Sequence, residues 1–159
     1  MNKFKFTTIL FILLFSSCGF TPIYVQNNDY NFSLISSEFT GDRDLNNFLK
    51  KELRRYERQN SQNKIYISIR SEYEKKILTK NSQGKASNYE LIATVIFTIK
   101  SNNKEIKFNE KKIMKNMEDK FEEANYERST KQGFGTSIVN RLISELIIQW
   151  LLNLTKLTK

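Results

Sequence analysis

Two hydrophobic periods alternate along this chain, and their order lays out the fold. From Asn31 to Phe39 the apolar positions partly alternate among β-formers, which predicts a first strand. Gly41-Asp42 then offers a helix start with Asp42 as N-cap. Leu45, Phe48, Leu49, Leu53 and Tyr56 follow at three- and four-residue spacing, one apolar stripe of a helix ending near Gln59. Its other face carries Lys50, Lys51, Arg54, Arg55 and Arg58, a solvated face. Between Lys64 and Ile77 the period drops to two. Ile65, Ile67, Ile69, Tyr73 and Ile77 point one way, and Tyr66, Ser68 and Arg70 the other.

A polar loop over 79–87 with Gly84 separates this strand from the next. There Leu91, Ala93, Val95, Phe97 and Ile99 form an inward row opposed by Ile92, Thr94, Ile96 and Thr98. Apolar residues on both sides predict a central strand covered on both faces. Ser101-Asn102-Asn103-Lys104 is a tight turn, because Asn tolerates positive φ. A third strand of the meander returns over 105–117. The last segment, about 122–154, is helical and holds the richest apolar stretch, including Ile138, Leu142, Leu146 and Ile148. Packing on a sheet needs a stripe of roughly 100°; this one is wider, so its surplus faces a partner protein or lipid. Gly133 and Gly135 each cost about 1 kcal/mol against Ala in a helix, which predicts a kink or break there. The sum is an α+β fold: strand, helix, three-strand meander, helix, with two helices packed on one face of a four-stranded mixed sheet. The first two strands, joined through a helix, are expected to pair in parallel and the rest antiparallel.

The residues ahead of this domain follow a different logic. Lys3 and Lys5 precede an apolar run from Phe6 to Phe15, too short for the about 20 residues of a spanning helix. Small residues and the chain's one cysteine follow in Leu14-Phe15-Ser16-Ser17-Cys18-Gly19, the layout of an export signal. The stretch resembles the lipobox of bacterial lipoproteins, in which the cysteine becomes the acylated first residue. The expected organisation is therefore a signal peptide over 1–17, a lipid-anchored tether over 18–29 and the α+β domain over 30–159. A lone exported cysteine has no disulfide partner, and lipidation accounts for it. Loss of Lys3 and Lys5 takes the 26 basic residues to 24 against 17 acidic ones, a net charge of +7. Outside the cytoplasm nucleic acid is excluded as a partner. The polyanions on offer are phospholipid headgroups, lipopolysaccharide and acidic glycans.

Catalytic chemistry is scarce. The chain has no histidine, which removes the usual general base near neutral pH and the commonest metal ligand. Its cysteine is assigned to the anchor, and Gly133-Phe134-Gly135 lacks the spacing of a phosphate loop. Carboxylate pairs such as Glu72/Glu74 and Glu122/Glu123 read as solubilising groups, and Ser129-Thr130 has no base nearby in sequence. A non-enzyme without cofactor or metal is expected.

Cys18-Gly19-Phe20-Thr21-Pro22-Ile23-Tyr24 resembles the Cys-Gly-Phe-x-Pro-Leu-Tyr opening of the lipopolysaccharide-assembly lipoprotein family LptE, in its α-proteobacterial form. Ser87-Asn88-Tyr89-Glu90-Leu91 before a long apolar strand is similar as well, and so is Asn125-Tyr126-Glu127-Arg128 leading into the apolar helix. Thr21 stands in place of the usual Arg. The resemblance implies an outer-membrane lipoprotein facing the periplasm, which plugs and helps assemble the LptD β-barrel and assists lipopolysaccharide delivery. It implies no reaction. Basic residues near the sheet tip, Lys75, Lys76, Lys80 and Lys85, are then candidates for lipopolysaccharide contact, with Lys111, Lys112 and Lys115 as a second group. Ile143, Ile147, Trp150, Leu151 and Leu154 are candidates for the partner-facing side of the last helix. A lipid-anchored periplasmic scaffold or binding module unrelated to LptD is the competing reading, and a carboxylate hydrolase a third.

Overall fold

The computed structural model of the chain describes residues 32–58 and 61–157, with side chains described as far as Gln149. The expected signal peptide and the whole of the expected tether lie outside the described residues. The elements are β1 (Phe32–Gly41), α1 (Arg43–Leu53) with a 3-10 turn over Arg54–Tyr56, β2 (Asn63–Lys80), β3 (Ala86–Ile99), β4 (Lys104–Lys115) and α2 (Lys120–Leu157). They form one four-stranded sheet in the order β1-β2-β3-β4. β1 and β2 are parallel, and the other two pairs are antiparallel.

Local chemistry sets the boundaries. Asp42 Oδ1 accepts from the Leu45 amide at 2.7 Å, capping α1 as its sequence position predicts. The turn before it is tight: Gly41 has φ 98° and lies so close to β2 that a Cβ would overlap the Ser71 carbonyl oxygen. α1 stops at Leu53 and tightens into the 3-10 turn, earlier than the expected end near Gln59. Asp119 opens α2 by accepting from the amides of Phe121 and Glu122, and Glu122 and Glu123 put negative charge in its first turn. Asn103 takes φ 53° in the β3–β4 turn, where asparagine is tolerated.

The core lies between one face of the sheet and the two helices. Leu45, Leu49 and Leu53 of α1 and Ile138, Leu142 and Leu146 of α2 meet Ile67, Ile69, Leu91, Val95, Phe97 and Phe108 of the sheet. Phe97 and Phe108 pack edge to face, 5.9 Å between centroids.

Four sequence expectations change. The opposite side of β3 is half-buried rather than covered: Ile92, Thr94, Ile96 and Thr98 meet no second layer among the described residues. Strands extend further than the polar residues suggested, with β2 reaching Lys80 and β3 starting at Ala86, so the loop shrinks to 81–85. Ile77 leaves the inward row at a register irregularity and is 54% exposed. Finally, α2 runs through Gly133 and Gly135 without a break. Gly135 is buried where α1 crosses; a Cβ there would stand 3.2 Å from Phe48 Cβ, so the glycine serves the approach of two helices.

Candidate functional site

The β2–β3 hairpin ends in a built tip. Asn81 organises it: its side-chain oxygen accepts from the amides of Gln83 at 3.0 Å and Lys85 at 2.9 Å. Its backbone closes the loop with Lys85 and Gly84, which has φ 77°. Below the loop, the Thr79 and Ser87 hydroxyls are 2.7 Å apart, and Asn88 donates to Thr79. Asn116 at the end of β4 donates through its amide side chain to Ala86 and through its backbone to Ser87. Lys80 and Lys85 project from this scaffold, exposed and without an ion pair among the described residues. Lys76 is exposed too, 3.0 Å from Glu74. Apolar residues share this end of the molecule: Ile77, Leu78 (47% exposed), Ile113 (61%) and Phe121 (74%).

Lys75, next to Lys76 in β2, sits on the opposite, helix-covered side of the strand. Its ammonium lies 2.6 Å from Glu123 and 3.1 Å from Glu127 of α2, and 4.6 Å over the Tyr89 ring. Glu123 is buried and also receives Lys120 at 2.7 Å. Hydrogen bonds from Lys120 and then Lys75 hold the Glu123 carboxyl down at about 2, against the desolvation that pushes it up. Burial works to lower the Lys75 ammonium, but its hydrogen bonds to Glu123 and Glu127 outweigh that and raise it. One cluster therefore straps the start of α2 to the sheet near the tip.

Further along α2 the pattern repeats. Lys131, with a side chain 11% exposed, reaches Asp42 at 3.3 Å and stacks 4.0 Å over the Tyr73 ring. Burial, then the Glu127 carboxylate, pushes the Tyr73 phenol up. Arg141 binds Glu110 at 3.0 Å and stacks over Phe108. These residues link elements and carry no reaction. Among the described residues no group of three or more His, Cys, Asp or Glu could hold a metal ion, and no helix is long and apolar enough to cross a membrane.

Of the second lysine group, Lys112 turns toward α2 and stacks 4.9 Å over Tyr126, while Lys111 faces the open side beside Glu90. Lys115 is exposed opposite Asn88, near the tip. On the last helix Ile143, expected on the partner-facing side, is instead buried in the core, and Ile147 packs against it half-buried. Ile148, on the other side, is 56% exposed. The side chains of Trp150, Leu151 and Leu154 lie outside those described, as does Cys18.

Residues 20–151 match the sequence profile of a family described as "LptE: Lipopolysaccharide-assembly". The chain belongs to the LptE family. Membership makes it a non-enzymatic component of lipopolysaccharide assembly in the cell envelope. A search of curated proteins by sequence finds no match. Rare lipoprotein B from Shewanella oneidensis has the same fold, with TM-score 0.51 at 14% identity over 74% of this chain and 97% of that one. A lipoprotein B from Nitrosomonas europaea aligns at TM-score 0.49 and 13% identity, over 74% and 85% of the two chains. A minor lipoprotein from Acinetobacter baumannii gives 0.48 and 16%, over 69% and 93%.

Sequence reasoning placed Lys80 and Lys85 at the end of the β2–β3 hairpin but missed two features. The apolar companions at the tip were hidden because Ile77 and Ile113 sit inside strand patterns that read as core. Lys131 was hidden because a lysine on an amphipathic helix reads as solvated. Its signal was position: it falls in the row Glu123, Glu127, Lys131, one residue per turn on the covered side of α2.

Proposed function

We propose that this chain is a lipid-anchored lipoprotein of the outer membrane, acylated at Cys18, that plugs and helps assemble the LptD β-barrel and assists lipopolysaccharide delivery to the outer leaflet. Family membership supports the task, and the tip supports the ligand. The carrying observation is that Lys80 and Lys85 stand exposed, without an ion pair among the described residues, beside exposed Ile77 and Leu78. A phosphorylated glycolipid offers the matching chemistry, phosphates for mobile ammonium groups and acyl chains for apolar side chains. Lys75, Lys76, Lys80 and Lys85 form the proposed group. The Lys75 charge is already matched by Glu123 and Glu127, so most weight falls on Lys80 and Lys85. Ile147 and the positions beyond it, Trp150, Leu151 and Leu154, are the proposed barrel-facing part of α2.

The test is a mild-detergent purification of the C-terminally tagged full chain from its native membranes. Equimolar LptD, identified by mass spectrometry, is expected. In the same preparation Lys76→Ala, Lys80→Ala and Lys85→Ala together should weaken lipopolysaccharide binding. Recovery of the chain alone, or only with itself, sinks the LptD reading and leaves the scaffold reading. Unchanged lipopolysaccharide binding by the triple variant removes the tip assignment.

A further inference from the structure

The two ends of the sheet are chemically distinct, and the end far from the tip holds a groove the proposed function does not use. Here β1 begins at Phe32 beside Asn63 of β2, β3 ends at Ile99, and the Ser101–Asn103 turn leads into β4. A groove of about 560 Å³ opens there, lined among the described residues by Lys64, Ile65, Tyr66, Ile99, Lys100, Ser101, Leu146 and Gln149. That volume falls within the roughly 300–1,000 Å³ of sites that hold small amphiphiles. Its floor is apolar, because Ile99 of β3 and Leu146 of α2 belong to the hydrophobic core and Ile65 of β2 packs against it. Its rim is cationic. Lys64 precedes Tyr66 by one outward-facing position, and the Lys100 amide donates to the Tyr66 carbonyl at 2.9 Å, so both lysines flank the half-exposed Tyr66. Both are exposed, and among the described residues neither has an ion pair and no carboxylate lines the groove.

An apolar floor with unmatched ammonium groups at its mouth recognises an amphiphile with an anionic head. The position of the groove decides which amphiphile. Residue 32 is where the chain arrives from the tether, fourteen positions after Cys18, so a bilayer-held Cys18 keeps this end within reach of the membrane surface. We infer that the groove docks an anionic glycerophospholipid of that bilayer, with an acyl chain against Ile65, Ile99 and Leu146 and its phosphate at Lys64 and Lys100. The domain then meets phospholipid at one end and presents the basic tip at the other. The inference rests on the envelope location in the proposed function, not on LptD or the tip lysines.

The backbone amides of Ile65, Tyr66 and Ile99, which line the groove, report on this end. The experiment uses the full chain in detergent micelles, titrated with spin-labelled phosphatidylglycerol or spin-labelled phosphatidylcholine while paramagnetic quenching of the Ile65, Tyr66 and Ile99 amide signals is followed by NMR. Two lysines at about 1 kcal/mol each predict half-quenching at an about 30-fold lower concentration of the anionic lipid. Lys64→Gln with Lys100→Gln should abolish that preference; both positions are exposed, so the fold is kept, and circular dichroism checks it. Equal quenching by the two lipids overturns the inference, as does a preference that survives in the double variant or the lack of any quenching. Lipopolysaccharide added as competitor separates the sources: displacement of the label as effective as by unlabelled phosphatidylglycerol also overturns it. Retention of LptD and the mass of mature Cys18 are read in parallel, so failure of the proposed function is seen separately.

Discussion

The two faces of the sheet are made by the same strands and read like two different proteins. Toward the helices, Leu91, Ala93, Val95 and Phe97 are completely buried, and Lys75 and Lys131 on that side are matched by carboxylates. Lys75 holds two glutamates of α2, and Lys131 holds Asp42 over Tyr73. Toward solvent, Ile92 and Ile96 are half-buried among threonines, and Lys76–Glu74 and Lys111–Glu90 are exposed pairs. Lys75 and Lys76 are neighbours in sequence with opposite employment. Strand parity, not residue type, assigns a lysine to structure or to surface. For a family working on an anionic glycolipid, composition alone therefore overstates the charge available to a ligand.

The largest effect that tests this contrast lies in the core. Phe97→Ala removes a completely buried ring in contact with Phe108 and is expected to cost about 3–5 kcal/mol. Ile96→Ala, one residue away on the open face, should cost about 1 kcal/mol, because much of its side chain already meets water. Urea unfolding of both variants measures the difference. Near-equal losses would mean that a second layer covers the open face.

The lysine pair gives the next contrast. Lys75→Ala leaves Glu127 without its cation and Glu123 with Lys120 alone, at an expected cost of about 1–3 kcal/mol. Lys76→Ala breaks an exposed pair and should stay within about 0.5 kcal/mol. Acid adds a second reading. The Glu123 carboxyl sits at about 2 when folded against 4.5 as its ordinary value, so the folded form binds this proton less tightly. Its contribution is complete above pH 4.5 and is lost as pH falls toward 2. Glu123→Gln should lower stability at neutral pH and flatten its fall across that window. A slope unchanged from the wild-type chain would show that Glu123 is not the titrating group.

How much of this was legible in the sequence follows the same division. The period-2 rows of β2 as far as Tyr73 and of β3, the Asp42 cap and the Asn103 turn were legible because each rests on local steric rules that neighbours do not override there. The covered side of β3 and the parallel β1–β2 pair followed from where apolar residues and a helical crossover had to go. The open face was misjudged because Ile92 and Ile96 are good β-formers, and that preference holds on a half-solvated sheet as well as in a core. The partition of the lysines was legible only by half: parity puts Lys75 on the covered side and Lys76 on the open one, but the Glu123 and Glu127 that match Lys75 lie about fifty residues away. The tip loop was overestimated because Thr79, Ser87 and Asn88 look like loop residues, yet here they hydrogen-bond across a ladder.

The smallest expected effect carries the face argument onto α2, where two glycines on one helix have different reasons to be there. Gly133 is exposed, with nothing within 4 Å of where a Cβ would stand. Gly133→Ala should therefore stabilise by about 0.5–1 kcal/mol through reduced backbone freedom in the unfolded chain. At roughly 2–4 °C for each kcal/mol, a careful thermal melt resolves it. Gly135 faces α1, and its alanine methyl would stand 3.2 Å from Phe48 Cβ, closer than ordinary contact. The same helix-propensity gain is then offset by displacement of α1, and Gly135→Ala should show no gain or a loss. If both alanines stabilise equally, the helices can separate at no cost and Gly135 does not set their distance. If neither does, the helix at Gly133 is not limited by glycine's freedom, and the break expected from sequence is absent for another reason than the packing of Gly135.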